Sequence, residues 1–422
     1  MRNSLRAAGC CLLLCLATFP AYAAGQRQAG PGGRLEIFSW WTAGGEAEGL
    51  EAMFAIYRDR FPAVSIINAT VAGGAGSNAK AVLATRMKGG TPPDSFQVHA
   101  GHELIDSWVV AGKMEPVTFI FRENGWLGSF PPGLVDIISW KGEIYSVPVN
   151  IHRSNVLWFN TAVFAARRIV PPRTLADFLR VAEALARSGV TPLALGDSGI
   201  WASVHLLENV LLGTMGPTKY KGLWTGATPW TGPEVREALA TFAKLLDYVN
   251  TDHAALTWDE AVQYVIDGKC AMTIMGDWAE GYFKARGLTP NREFGWAPSP
   301  GTEGSFIALS DSFGLPRGAP DRDAAVKWLT VAASREGQDA FNPKKGSIPS
   351  RTDGDRSLYD EYQRSAMDSY RKDTIVGSVT HGAAAAEVWL SLIQDSIATF
   401  TCDLDVDTAV ASLAAAAARF TK

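Results

Sequence analysis

Hydrophobic and polar positions recur in two distinct rhythms along the first part of the chain. Leu35-Glu36-Ile37-Phe38-Ser39-Trp40-Trp41 reads as a strand, and a helical run from Glu46 to Phe61 follows, stopped by Pro62. Val64 to Val71 predicts a second strand and Asn78 to Met87 a second helix. Asp94 to Val98 predicts a third strand, with Glu103 to Val110 helical behind it. This β-α-β-α-β order implies parallel strands with helices on the faces of their sheet. A second set of elements begins near Tyr145 to Asn150. Thr174 starts a helix from Leu175 to Ser188 that Gly189 ends, and Thr257 with Glu260 makes a capping box for a helix up to Asp267, closed by Gly268. Ala271 to Met275, Phe294 to Ala297 and Ile307 to Leu315 read as strands, and Asp355 to Phe420 as mostly helical and alanine-rich. Two α/β lobes with a cleft between them fit this layout.

The adjacent pair Trp40-Trp41 stands at the carboxyl end of the first strand. Neighbours on a strand point to opposite faces, so one sheet core does not readily bury both indoles. Ligands of open α/β sheets bind just beyond the carboxyl ends of strands. Two readings fit: both rings pack under the next helix, or they offer flat apolar faces to a ligand with such faces of its own, for example a pyranose sugar. Trp278 follows Met275-Gly276-Asp277 at another junction of strand and helix, and Asp311 breaks the apolar run Leu309-Ser310-Asp311-Ser312-Phe313-Gly314. Both positions favour a cleft. Trp108, Trp328 and Trp389 read as packing, and Lys345 and His381, taken singly, read as solvated surface groups.

Other chemistry is less well supported. Gly74-Ala75-Gly76-Ser77-Asn78-Ala79 has the form of a dinucleotide loop, but it sits on the second strand-helix unit, so a plain glycine turn opening a helix is preferred. His99-Ala100-Gly101-His102-Glu103 lacks the ligand spacing of zinc peptidase helices, and no metal is expected. A glycoside hydrolase needs two facing carboxylates, for which Glu46 and Asp311 can be nominated; this is the main enzymatic alternative.

The first residues change the picture of where the chain works. Arg2 and Arg6, the apolar stretch Cys10 to Ala17 and then Ala21-Tyr22-Ala23 have the order of a secretory signal peptide over residues 1–23, cleaved after Ala23. No cysteine beyond the apolar stretch follows a small residue in the way lipidation needs, and no later stretch is long enough to span a membrane. The formal charge is −4, and cleavage removes two arginines and no acid. That balance points away from nucleic acid and anionic membranes as partners. Cys270 and Cys402 remain after cleavage, an even pair in an oxidising compartment, which predicts one disulfide.

Taken together and in order, Phe38-Ser39-Trp40-Trp41, Phe96-Gln97-Val98-His99, Val147-Pro148-Val149-Asn150-Ile151-His152-Arg153, Met275-Gly276-Asp277-Trp278, Phe341 to Ser347 and His381-Gly382 closely resemble bacterial periplasmic glucose-binding proteins of ABC sugar importers, in extracellular solute-binding family 1. The resemblance covers essentially the whole chain after the signal. It implies the periplasmic-binding-protein fold, two α/β lobes with hinge crossings and a ligand cleft between them. The first lobe is placed at 34–146 plus 297–346 and the second at 150–293 plus 350–422. Hinges are placed near Val147 to Asn150, Trp296 to Pro298 and Ser347 to Pro349. By resemblance, Trp40, Trp41, Glu46, Gln97, His99, Trp278, Asp311, Lys345 and His381 hold a hexose, with Trp258 and Asn342 as further contributors. His99 stands where some relatives carry lysine. Trp41 and Trp278 are assigned to stacking and Trp40 to the adjoining wall; Asp311 and Glu46 are to accept from hydroxyls, and Lys345 and His381 to donate. The expectation is a periplasmic monomer without catalysis or cofactor, which binds glucose, galactose or mannose and docks on a membrane permease. A chemoreceptor is a further candidate partner.

Overall fold

In the computed structural model, which describes residues 33–73 and 76–421, strand Arg34–Phe38 lies between two parallel neighbours, Ser65–Asn68 and Ser95–His99. Helices Gly44–Arg60 and Ser77–Lys88 make the crossovers, in the expected β-α-β-α-β order. The sheet then departs from a purely parallel one. Asp311–Gly314 pairs antiparallel with Ser95–His99, and Ser146–Pro148 pairs antiparallel with Asp311–Gly314, which completes five strands. The expected signal peptide lies outside the described residues.

The second lobe is built on two sheets. One has the order Phe294–Pro298, Val156–Asn160, Cys270–Ile274, Thr191–Leu193; the other has Thr374–Gly377, Ser305–Leu309, His152–Arg153. Leu157, Met272, Ile307 and Val376 share one buried cluster, while Leu35, Ile37, Phe96 and Phe313 belong to another. Local signals behave as the residues dictate. Thr174 accepts from the Asp177 amide at the start of helix Leu175–Arg187, and the Thr257–Glu260 capping box opens helix Trp258–Ile266. Helix Trp201–Thr225 has no counterpart in the sequence reading, because its first three turns are buried all round and carry no apolar stripe. It kinks at Gly216, where φ is 72°, just before Pro217.

The run Ile307 to Leu315 is two strands, not one. Ser310 separates Ser305–Leu309, in a sheet of the second lobe, from Asp311–Gly314, in the sheet of the first. The polar break in that run marks the point where the chain changes lobes. Beside it runs Val149 to Ile151: the Val149 amide donates to the Asp311 carbonyl, and the Asp311 amide donates to Asn150 Oδ1 at 2.8 Å. Ile348 pairs with Ile151 as a third crossing. Trp296 to Pro298, expected as a hinge, lies within a strand. It stays paired with Val156 to Trp158, and residues 297–309 pack with the second lobe.

The expected Cys270–Cys402 disulfide is not formed. Cys270 is buried on its strand beside Ala194, Ala261 and Val265, whereas Cys402 is exposed near the end of helix Glu387–Asp403, and both thiols are free.

Helix Trp278–Ala285 packs on helices Gly44–Arg60 and Arg335–Lys345, and glycine permits the approach. A Cβ on Gly281 would stand 2.5 Å from the Lys345 carbonyl oxygen, a backbone atom that cannot swing aside. Gly281→Ala should therefore cost about 1–3 kcal/mol, read as a lower urea midpoint. Gly128→Ala, whose added methyl meets nothing within 4 Å, is the control. Equal midpoints for the two variants would contradict the close packing.

Candidate functional site

Elements of both lobes deliver side chains to one place. Strand Arg34–Phe38 ends before Trp40 and Trp41, so both rings project from the turn that leads into helix Gly44–Arg60. Strand Ser95–His99 carries Gln97 and His99 on one face, and the register sets Asp311 opposite His99. Trp278 opens its helix, Lys345 closes helix Arg335–Lys345, and His381 sits in the turns between strand Thr374–Gly377 and helix Glu387–Asp403. They surround a cavity of about 300 Å³ at the lobe junction. Trp40, Trp41, Glu46, His99, Trp278, Asp311, Lys345 and His381 all line it, as does Trp258. Gly73 and Gly76, from the glycine turn, line it too.

Gln97 and Asn342 do not line it. Gln97 lies one layer back, where its Oε1 accepts from the Trp40 amide at 3.1 Å and its Nε2 donates to Asp311 Oδ1 at 2.8 Å. Asn342 spends its amide on the carbonyls of Val149 and Gln338, and so fixes a crossing strand. The tryptophans differ in exposure. Trp41 is only 1 % exposed, with its ring against Phe341 at 4.7 Å and edge-on to Phe313 at 5.6 Å. Trp40 is half-buried beside His99 and offers the larger free surface. All three rings line the cavity, and Trp278 is 6 % exposed.

His152 and Trp201 line the cavity without having been singled out as site residues. His152 lay inside the quoted segment Val147 to Arg153, where one imidazole in an apolar run passes for a core residue. Trp201 begins the helix that periodicity did not reveal.

The electrostatic centre is Asp311, 2 % exposed. Gln97 donates to its Oδ1 and Asn150 Nδ2 to its Oδ2, each at 2.8 Å, while His152 Nε2 stands 3.3 Å from Oδ2. Burial alone raises a carboxyl pKa; here the hydrogen bond and charge of His152, joined by His99 and Lys345, outweigh it and hold Asp311 ionised, well below the usual range. Burial likewise opposes a charge on His152, but Asp277, bonded to its Nδ1, outweighs that and raises it. With Asn150 and His152 both at Oδ2 and Gln97 alone bonded to Oδ1, Oδ1 retains a lone pair for a ligand hydroxyl. Nearby, Lys345 Nζ donates to Glu46 Oε1 at 2.7 Å, and burial raises the Glu46 pKa despite that partner. His99 Nδ1 bonds Glu103 at 2.7 Å; Lys80 and His99 overcome burial and bring Glu103 down to about 2. The histidine–glutamate run of the sequence is thus a buried ion cluster, while His102 is exposed and bonds Asp106.

Residues 39–339 match the family model described as bacterial extracellular solute-binding protein. An uncharacterized ABC transporter extracellular-binding protein of Pyrococcus horikoshii is 38% identical over 383 residues, which span 90% of this chain and 86% of the relative. A probable sugar-binding periplasmic protein of Mesorhizobium japonicum is 32% identical over 374 residues, 87% of this chain and 88% of the relative. Among solved structures, the bacterial solute receptor AcbH, described as preferring β-D-galactopyranose, superposes with a TM-score of 0.80 over 92% of this chain and 98% of its own. Its sequence identity is 17%, so the likeness concerns the fold alone.

Two buried histidines near the cavity resist protonation. Burial lowers His205 to about 3, and burial followed by the charge of His99 lowers His381 well below its ordinary value. A depressed folded pKa contributes stability above about pH 6.5 that is lost as pH falls, because the unfolded chain takes up the proton first. Glu208, raised to about 6 by burial, works in the opposite sense between roughly 4.5 and 6. His205→Gln should therefore remove about 2 kcal/mol of the difference in unfolding free energy between pH 7 and pH 5. An unchanged difference in urea titrations at the two pH values would contradict this.

Proposed function

Because the chain belongs to the bacterial extracellular solute-binding protein family, and is a periplasmic sugar-binding protein of an ABC transporter, we propose that its ligand is a single hexose, glucose or a near relative, held in the cavity at the lobe junction. It is a binding protein and not an enzyme, and the hydrolase alternative built on Glu46 and Asp311 is set aside. The observation that carries the hexose reading is Asp311: an ionised carboxylate buried at the crossing, with a lone pair free on Oδ1, in a cavity flanked by Trp40 and Trp278. A pyranose has C–H faces that pack on indoles and hydroxyls that donate to a carboxylate oxygen. The volume of about 300 Å³ is at the small end for ligand pockets, which suits one ring.

In this reading His99, His152, Lys345 and Glu46 complete the polar ring, and Gln97 and Asn150 hold Asp311 in place. The lobes close over the sugar by bending at Val149 to Ile151, Leu309 to Asp311 and Ser347 to Ile348, and the closed form docks on the permease. Sugar contacts with both lobes favour that form. The leader is removed after Ala23 before the protein folds in the periplasm.

Calorimetry with a panel of monosaccharides on the full exported chain tests the reading. At least one hexose should bind, and Asp311→Asn should weaken it about ten- to a hundredfold, the value of a charge-assisted hydrogen bond. Binding of no hexose, or unchanged affinity in that variant, would overturn it.

A further inference from the structure

Behind Trp278 lies a buried cluster that the contacts above do not use. Glu208, on helix Trp201–Thr225, is 1 % exposed and is surrounded by donors. Ser154 Oγ donates to its Oε1 at 3.0 Å and Ser378 Oγ at 2.9 Å, while the amides of Val379 and Thr380 donate to its Oε2 at 2.9 and 3.3 Å. These bonds pin the turns that carry His381.

The two serines also constrain two histidines. A serine hydroxyl has a single hydrogen. Ser378 gives that hydrogen to Glu208, so Ser378 Oγ can only accept from His381 Nδ1, which lies 2.8 Å away. Ser154 is placed the same way, with His205 Nδ1 at 3.2 Å from its Oγ. A neutral imidazole holds one proton, so a donor at Nδ1 leaves Nε2 bare. Both rings are neutral at ordinary pH, as burial dictates. The His381 ring lines the cavity, and its Nε2 has no hydrogen bond among the described residues.

We propose that Glu208, acting through Ser378, is a positioning residue that fixes the proton of His381 on Nδ1 and presents Nε2 to the cavity as a hydrogen-bond acceptor. This reverses the donor role expected of His381 from the sequence. It rests on the reading of the cavity as the hexose site, and it deepens that reading. His381 then selects a sugar hydroxyl that points its hydrogen at the ring, while Lys345 provides the opposite polarity across the cavity. The ligand atoms of His205, Glu208 and His381 also lie within 4.8 Å of one another, which could suggest a metal ion. Glu208 already accepts from the hydroxyls of Ser154, Ser378 and Tyr220 and from two amides, however, so an ion would have to displace bonds that hold the loop.

The test is nitrogen NMR of the ligand-free full chain labelled with ¹⁵N-histidine, with His381→Gln used to assign the ring. The wild type should show a pyrrole-type Nδ1 and a pyridine-type Nε2. In Glu208→Gln the new amide donates to Ser378, whose hydroxyl then turns to Nδ1 and moves the His381 proton to Nε2. Ser378→Ala removes the relay and should give a mixture of both forms. Glucose affinity should fall about tenfold in each, as one mismatched hydrogen bond requires. A wild-type proton on Nε2, or an unchanged tautomer in both variants, would overturn the proposal. The spectra need no sugar, so a protein with the expected tautomer that bound no hexose would count against the proposed function and still support the relay.

Discussion

A carboxylate removed from water costs several kcal/mol unless charges and donors around it make up the loss, and the site is organised around meeting that demand at Asp311. These donors and charges come from separate parts of the chain. Gln97 and His99 arrive on the central strand of the first sheet, and Asn150 and His152 on a crossing segment. None can be moved without leaving a buried charge short of partners. Placing the acid at a change of lobe therefore ties the cavity floor to the hinge, so that filling the cavity and bending the crossings involve the same groups.

The charge pattern continues into the second lobe. His152 passes the influence of Asp311 to Asp277, which also accepts from the Arg153 amide at 2.9 Å and the Tyr362 hydroxyl at 3.3 Å. On the far side, Lys80 of the first lobe lies 2.8 Å from Glu103 and 3.5 Å from Glu387, which starts a helix of the second. Ionic contacts thus link the lobes on two sides of the cavity. Opposed charges in a confined site limit the desolvation penalty, and they also set donor and acceptor positions in advance of a ligand.

Much of this was legible in the sequence because it rests on local rules. The period-2 run up to Phe38 fixed the strand, and its end placed Trp40 and Trp41 where α/β sheets meet their ligands. The polar residues within Ile307 to Leu315 marked Asp311 as unusual. What that run could not show was a change of sheet, because the side-chain alternation is the same on both sides of Ser310. Helix Trp201–Thr225 was hidden by its burial on all sides, and with it Trp201, His205 and Glu208. Gln97 was found, yet its place behind Trp40 depends on cross-strand register. Counting cysteines predicted a bridge that needs proximity, and proximity is not a local property. The relative exposure of Trp40 and Trp41 likewise depends on Phe341 and Phe313, which reach the site from distant parts of the chain.

The most direct measurement is a crystal structure of the exported protein grown with glucose. Asp311 Oδ1 should accept from a sugar hydroxyl, with the pyranose ring packed on Trp278 or Trp40. A sugar bound elsewhere, or one in the cavity that makes no hydrogen bond to Asp311, would contradict the central role given to this carboxylate.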